Sequence, residues 1–277
     1  MHDVGARQLC VGGRSARVWT GGDGPALLLL HGGLGGAQMH WGPVFEGLAR
    51  AHRVVAPDLP GFTGSDSLDD CAWDGLLNWL DAVLDACDVG EVAVVGNSFG
   101  AALARVYASA RPTRVTRVVL VNGGVVPVLG AGARWLMRQQ WLLAPFNALM
   151  GALTYSRWGL GMMVHQRTVL NDEFVAQCKA EAPAFIGLMN MLFGAPAPEA
   201  RIPNQPNTLI WGECDRFSPL KIAHSLQTEM PGASLRTVED CGHMPQCERP
   251  EVFLSALLEV LSSAAREDGL ELPPTVT

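Results

Sequence analysis

One stretch, residues 92–102, constrains the fold of this chain more than any other. It begins as a short β-branched apolar run, which is typical of a strand buried on both faces. A helical pattern follows over 101–108, and Ser98 lies between the two, at the centre of a Gly-x-Ser-x-Gly motif formed with Gly96 and Gly100. So tight a turn strains the central residue and lifts its side chain clear of the sheet. The stretch therefore predicts a serine at a helix N-terminus, where free N–H groups and the helix dipole favour a developing anion.

A serine hydroxyl is a poor nucleophile unless a base lies within hydrogen-bond reach and a third group orients that base. In an open α/β sheet, reacting groups collect at the carboxyl ends of the strands. Two further predicted strands end in candidates, since Asp215 follows 208–211 and His243 follows 234–238. The chain order Ser98, Asp215, His243 is the one expected in such a sheet. We therefore predict that His243 takes the serine proton and that Asp215 orients His243.

Two other acids compete with Asp215, because Asp240 lies close to His243 in sequence and Glu213 lies in the same loop as Asp215. Other histidines are weaker candidates for the base, and His31 is expected to hydrogen-bond its neighbouring loop rather than react. The remaining weaker candidates are His40, His52, His165 and His224. Three cysteines near the predicted site are expected to be small core residues: Cys214, Cys241 and Cys247.

The rest of the chain alternates between strand and helix patterns on both sides of one long interruption. Strands are predicted over 15–20, 26–30, 53–58 and 115–122, and helices over 41–51, 71–87, 219–229 and 250–264. Asp69 or Asp70 is expected to cap the helix over 71–87. The alternation predicts a mostly parallel sheet flanked by helices.

The interruption, residues 124–203, is helical in pattern and rich in Trp, Met, Leu and Phe, and Asn171 has the place of a helix cap within it. We predict that 1–123 and 204–277 form an α/β core and that 124–203 forms a helical cap. Because its helices are apolar on more than one face, we expect the cap to line an apolar pocket.

Composition excludes several classes of protein. At 48% hydrophobic and 17% charged residues, the chain is too apolar for disorder, and its net charge of −7 disfavours a nucleic-acid partner. Seven scattered cysteines without a C-x-x-C motif, and a start without the apolar core of a signal peptide, favour a cytoplasmic protein. No segment has the length of a membrane span, and no pattern indicates a metal or organic cofactor. A small apolar substrate is the expected partner, and a homodimer stays open.

Five ordered motifs give the chain a resemblance to a known family. They are HGGLGG at 31–36, DLPGFTGS at 58–65, GNSFG at 96–100, GECD at 212–215 and GH at 242–243. The sequence resembles the serine-nucleophile branch of the α/β-hydrolase superfamily over nearly its whole length. The resemblance implies the α/β-hydrolase fold, a catalytic triad of Ser98, Asp215 and His243, and an oxyanion hole made by the backbone N–H groups of Gly33 and Phe99.

Within that superfamily, the HGG motif followed by Trp41 and the GNS motif at Ser98 resemble the carbon–carbon bond hydrolases of aromatic meta-cleavage pathways. These enzymes cleave vinylogous 1,5-diketones that carry a carboxylate, and the resemblance implies a cap arginine for that carboxylate and a tryptophan after the catalytic histidine. Here Met244 follows the histidine, and the comparable cap helix has Lys179 but no arginine over 174–179. A lysine replaces a bidentate guanidinium poorly.

We therefore predict a serine hydrolase that cleaves a carboxylic ester of a small or medium apolar substrate through an acyl-enzyme. The first alternative is a C–C bond hydrolase of the meta-cleavage product type. The second is a non-hydrolytic lyase or cyclase, or a ligand receptor, since fold does not settle function. The residues predicted to contact the substrate are Gly32, Leu34, Asn97, Trp141 and Met244.

Overall fold

The computed structural model describes residues 4–69, 72–198 and 202–267. The strands are β1 (Gly5–Val11), β2 (Arg14–Gly21), β3 (Ala26–Leu30), β4 (Arg53–Pro57), β5 (Val92–Asn97), β6 (Val115–Val121), β7 (Asn207–Gly212) and β8 (Ser234–Val238). The helices are α1 (Ala37–Ala49), α2 (Trp73–Ala86), α3 (Phe99–Ala110), α4 (Ala131–Met137), α5 (Gln140–Thr154), α6 (Arg157–Met163), α7 (Asp172–Gly194), α8 (Leu220–Glu229), α9 (Pro245–Glu248) and α10 (Pro250–Glu267).

The eight strands form one sheet in the order β1-β2-β4-β3-β5-β6-β7-β8. The strands from β4 to β8 run parallel, and β2 pairs antiparallel with both β1 and β4. Gly96 in β5 lies opposite Leu30 in β3 and Leu120 in β6, so these strands end at the same level. The predicted fold class, a mostly parallel sheet flanked by helices, is confirmed, and its carboxyl edge carries the candidate site.

The core has two layers because successive side chains of each buried strand point to opposite faces of the sheet. Leu28 and Leu30 pack on one face with α2 and α3, whereas Leu27 and Leu29 pack on the other face with α1 and α10. The uninterrupted leucine run of β3 is thus explained by burial on both sides.

Element boundaries differ from the sequence prediction in three places. Strand β1 is present although none was predicted there, and α1 begins before position 41. The expected cap of α2 by Asp69 is wrong, because the N-cap is Ala72 and the Asp69 carboxylate pairs with Arg14. Asp70 and the tail beyond 267 lie outside the described residues. Asn171 caps α7 as predicted, and its side chain accepts a hydrogen bond of 2.8 Å from the N–H of Phe174.

Helices α4 to α7 lie between β6 and β7, inside the predicted limits of 124–203, here called the insertion. An apolar cluster joins the insertion to the core and contains Tyr155, Leu160 and Phe174 from the insertion with Leu34 and Met244 from the core. In the described part of the chain, no helix is both long and apolar enough to cross a membrane. The division into core and cap stays a prediction.

Candidate active site

The turn between β5 and α3 places Ser98 at the centre of the site. Its backbone has φ 58° and ψ −117°, a strained conformation for a residue other than glycine. A Cβ on Gly96 would overlap the carbonyl oxygen of Gly100, and one on Gly100 would overlap that of Leu30. The two glycines of the motif are therefore required by close backbone packing, and the strain that the motif predicted is present.

A buried histidine–carboxylate pair lies in the loops that follow β7 and β8. His243 Nδ1 and Asp215 Oδ2 are 2.7 Å apart, and His243 and Asp215 are 2% and 4% exposed. The other oxygen, Oδ1, accepts the backbone N–H groups of Phe217 and Ser218 at 2.8 Å each. These donors fix the carboxylate so that it holds the Nδ1–H tautomer and leaves Nε2 free to act as a base.

Asn122 supports this pair, and the sequence analysis did not single it out. Its side-chain amide donates to Asp215 Oδ2 at 2.7 Å, and its Oδ1 accepts the N–H of Gly212 at 3.0 Å. Asn122 has a φ of 45°, a conformation that asparagine tolerates better than most residues. A polar residue at the end of a predicted buried strand was the signal that could have found it.

The two competing acids lie elsewhere. Asp240 bonds to His165 and Arg249 at 2.9 Å each on the surface, and its side chain is 60% exposed. The hydrogen bond from His165 is the main cause that lowers the pKa of Asp240. Glu213 is exposed. The geometry therefore brings Asp215, and neither of the other two acids, to the His243 ring.

The glycine-rich loop after β3 lies against the Ser98 turn. A Cβ on Gly32 would lie 2.9 Å from the Cβ of Ser98, so only glycine allows this approach. His31 hydrogen-bonds its own surroundings as expected, since Nδ1 donates to the Gly32 carbonyl and Nε2 accepts the N–H of Leu59, both at 2.8 Å. The oxyanion-hole role of Gly33 and Phe99 stays a prediction.

The insertion reaches the same loop. Tyr155, just after α5, donates its hydroxyl to the Gly33 carbonyl at 2.9 Å, and the Phe185 ring of α7 lies against Gly33. The Phe185 ring also packs edge-on against Phe99, with ring centroids 5.9 Å apart. Aromatic side chains of the insertion thus border the predicted oxyanion hole.

Asn97, predicted to contact the substrate, is instead completely buried beneath the site. Its amide donates to the carbonyls of Val121 and His243, both at 3.1 Å. Its Oδ1 pairs with His40 Nδ1 at 3.1 Å and with Gln246 at 3.2 Å. Protein partners therefore engage both polar atoms of this side chain, which places Asn97 among the supports of the site, and its contact with a substrate stays a prediction.

His40, which the sequence analysis weighed only as a weaker candidate for the base, is a second supporting residue. Burial lowers its pKa well below 6.5, and the nearby His31 and His243 lower it further. A neutral His40 donates from Nδ1 to Asn97, and its buried Nε2 has no partner among the described residues. No sequence pattern links positions 40 and 97, because only the fold brings them together.

Glu248 holds the loop that carries His243. Its Oε1 accepts the N–H of Met244 at 3.0 Å, and its Oε2 accepts those of Gly242 at 3.1 Å and His165 at 2.7 Å. One buried carboxylate therefore links the His243 loop to the insertion, and no sequence pattern indicated this link.

The remaining predicted substrate contacts are spread over different environments. Gly32 lies beside Ser98, Leu34 and Met244 are buried in the cluster between insertion and core, and Trp141 is 77% exposed on α5.

The structure also bears on cofactors and thiols. No group of side chains in the described ranges could hold a metal ion. Burial raises the pKa of the Cys241 and Cys247 thiols, which makes them weak nucleophiles.

The model of the alpha/beta hydrolase family matches residues 27–256. The chain belongs to the alpha/beta hydrolase family. One relative in this family, 2-hydroxymuconate semialdehyde hydrolase from Pseudomonas putida, is 31% identical over 279 residues, which cover 93% of this chain and 94% of that protein.

Two solved structures of this family share the fold. That of 2-hydroxy-6-oxo-6-phenylhexa-2,4-dienoate hydrolase from Rhodococcus sp. strain RHA1 has a TM-score of 0.74 at 23% identity, over 94% of this chain and 99% of that one. That of a thermophilic esterase from Thermogutta terrifontis has a TM-score of 0.76 at 18% identity, over the same shares. The α/β-hydrolase fold is thereby confirmed, but it does not separate C–C from ester hydrolysis.

Proposed function

We propose that this hydrolase cleaves a carbon–carbon bond in a substrate of the meta-cleavage product type. The support is the full-length similarity to 2-hydroxymuconate semialdehyde hydrolase, combined with a strained Ser98 and a buried His243–Asp215 pair. Asn97, the neighbour of Ser98 in the chain, bonds to the His243 carbonyl. This proposal reverses the preference for an ester drawn from the sequence, because the near-complete coverage of that relative outweighs two local departures.

In the proposed reaction, His243 removes the Ser98 proton as the serine oxygen attacks the keto carbon of the substrate. The oxyanion so formed lies at the N–H groups of Phe99 and Gly33. The substrate reacts as its diketo tautomer, a vinylogous 1,5-diketone in which the enol proton has moved to the carbon beside the attacked keto group. Collapse of the oxyanion breaks the C–C bond, and the electron pair passes through the conjugated double bond onto the 2-oxo oxygen. The dienolate so formed takes the proton from His243 and leaves as the dienol. Water then hydrolyses the acyl-Ser98 ester with His243 as base, and a carboxylic acid leaves.

A substrate carboxylate needs a cation, and the helix over 174–179 offers only the exposed Lys179. Two arginines, Arg167 and Arg216, line a cavity of about 130 Å³ that Cys214, the neighbour of Asp215 in the chain, also lines. We propose Arg167, on the insertion, as the group that binds the carboxylate, since a guanidinium fits a carboxylate bidentately.

The test compares a meta-cleavage product with a simple ester as substrates of the same protein. We expect kcat/KM for 2-hydroxy-6-oxo-6-phenylhexa-2,4-dienoate or 2-hydroxymuconate semialdehyde to exceed that for p-nitrophenyl butyrate by roughly a hundredfold or more, a difference of about 2.7 kcal/mol in transition-state binding. Ser98→Ala should abolish both reactions while far-UV circular dichroism stays unchanged. A preference for the ester would replace this proposal by the esterase function.

Arg167→Gln should raise KM for the dienoate about tenfold and leave KM for the uncharged ester unchanged, as expected for the loss of a charge-assisted bond. Arg236→Gln is the matched control, because Arg236 pairs with Glu259 on the core surface. Equal changes in KM for both substrates would show that Arg167 does not bind the substrate carboxylate. That result would leave the proposed triad unaffected.

Ester hydrolysis is the second candidate, and one observation favours it. Met244 is fully buried where a C–C hydrolase of this type has tryptophan. An intact-mass measurement after exposure to a fluorophosphonate reports the activated serine for either function. We expect a single adduct on the wild type and none on Ser98→Ala.

A further inference from the structure

A large apolar surface on the insertion is left uncovered. Of the fifteen large apolar side chains that are exposed among the described residues, ten lie between positions 135 and 162. We name them the apolar surface: Trp135, Leu136, Trp141, Leu142, Phe146, Leu149, Met150, Leu153, Trp158 and Met162. Patches of this extent on soluble proteins mark interaction sites.

The helices that carry the apolar surface have few neighbours of their own. Helices α4 and α5 pack against α7, and α5 also contacts α6. None of the described side chains of α4 or α5 is buried. Leu142, Phe146, Leu149 and Leu153 follow the spacing that places side chains on one helix face. This face is therefore available to an external partner.

The apolar surface is larger than a small substrate requires. Its three tryptophans are 63% (Trp135), 77% (Trp141) and 72% (Trp158) exposed, and a buried aromatic side chain alone covers about 150–250 Å². A substrate of the proposed size contacts only a few such groups. Tryptophan is also the residue that prefers the boundary between water and lipid.

The charge of this region has the opposite sign to that of the chain. No Asp or Glu occurs over 92–171, and the insertion contributes four arginines there, in a chain of net charge −7. Arg157 pairs with Asp172, whereas Arg134, Arg138 and Arg167 have no acidic partner in the described part of the chain. Exposed tryptophan and leucine beside arginine are characteristic of interfacial helices that bind anionic lipid.

We propose that the apolar surface docks the protein on an anionic lipid membrane. A second copy of the chain fits less well, because a two-fold contact through this surface would bring the arginines of both copies together without an acid. Tyr155, just after α5, donates a hydrogen bond to Gly33, so the docked surface lies next to the candidate site. The proposal does not depend on which bond is hydrolysed.

The test is vesicle co-sedimentation of the full chain with phosphatidylcholine vesicles, with and without phosphatidylglycerol. We expect binding only to vesicles that contain phosphatidylglycerol, a blue shift of tryptophan emission on binding, and weaker binding as NaCl screens the charges. The double variant Phe146→Ser/Leu149→Ser keeps all three tryptophans as reporters and should bind at least about tenfold more weakly. Arg134→Gln/Arg138→Gln should weaken binding by roughly tenfold.

The controls are Val252→Ser and Arg236→Gln, which change an exposed apolar side chain and an exposed cation on the core and should bind as the wild type does. Thermal unfolding followed by circular dichroism identifies a variant that fails to fold, and the serine and glutamine pairs test the surface independently. Absence of binding to either vesicle, or binding that NaCl does not weaken, would overturn the proposal. So would light scattering that shows a wild-type dimer converted to monomer by Phe146→Ser/Leu149→Ser.

Discussion

At the scale of single residues, the sharpest prediction concerns Asp215 and its effect on kcat. Its carboxylate holds His243 Nδ1 at 2.7 Å and is itself fixed by three further donors. Asp215→Asn keeps the shape but sets the wrong imidazole tautomer, so kcat should fall by about 10⁴. Asp240→Asn is the matched control and should change kcat less than about twofold. Steady-state kinetics with the preferred substrate measures both, and a larger loss in Asp240→Asn would contradict the assignment of the acid.

His40 is a positioning residue that acts through Asn97. His40→Phe keeps the ring volume but removes the donor to Asn97 Oδ1. We expect kcat to fall about tenfold with KM unchanged, because Asn97 Oδ1 loses one of its two donors, a buried hydrogen bond is worth about 0.5–1.5 kcal/mol, and a shift of the Asn97 amide displaces the His243 carbonyl. His40→Gln restores a donor and should recover most of kcat. If His40 only filled space, His40→Phe would keep a higher kcat than His40→Gln.

At the scale of elements, the site depends on the contact between the His243 loop and the insertion. Glu248 accepts hydrogen bonds from backbone N–H groups of both the loop and the insertion. Glu248→Gln turns one of these acceptors into a donor, so the free energy of unfolding should fall by about 2–3 kcal/mol. Urea unfolding at neutral pH measures the change. Glu259→Gln, which removes one member of an exposed ion pair, should lower the free energy of unfolding by less than about 1 kcal/mol. Equal losses in the two variants would show that Glu248 does not hold the loop and the insertion together.

At the scale of the whole molecule, two buried histidines make stability depend on pH. Burial lowers the pKa of His31 and of His40, so the folded protein keeps both neutral where the unfolded chain binds protons. Stability is therefore complete above about pH 6.5 and falls as the pH decreases, by up to about 1.4 kcal/mol per pH unit for each histidine.

Urea unfolding at a series of pH values between neutral and mildly acidic tests this dependence. Below about pH 6.5, His40→Gln should reduce the slope of the free energy of unfolding against pH by the contribution of about one proton. His224→Gln, at an exposed position on α8, should leave that slope unchanged. A wild-type stability that stays constant below pH 6.5 would contradict the assignment.

The sequence by itself determined the strand–turn–helix at Ser98, the parallel core and the order of the candidate residues along the chain. These features are local: an apolar run that can only be buried, two glycines that a tight turn requires, and polar residues directly after strands. The Asn171 cap of α7 belongs with them, since a cap acts on its own first turn.

Only the tertiary structure decided which acid meets His243 and what supports the pair. Asp240 is nearer to His243 in the chain, yet it turns to the surface, while β7 carries Asp215 inward. Asn97, His40 and Glu248 act through partners that are distant in sequence, and no periodicity encodes such contacts. The physical reason is that burying a polar group requires a hydrogen-bond partner, and only the packed sheet determines which partner is within reach.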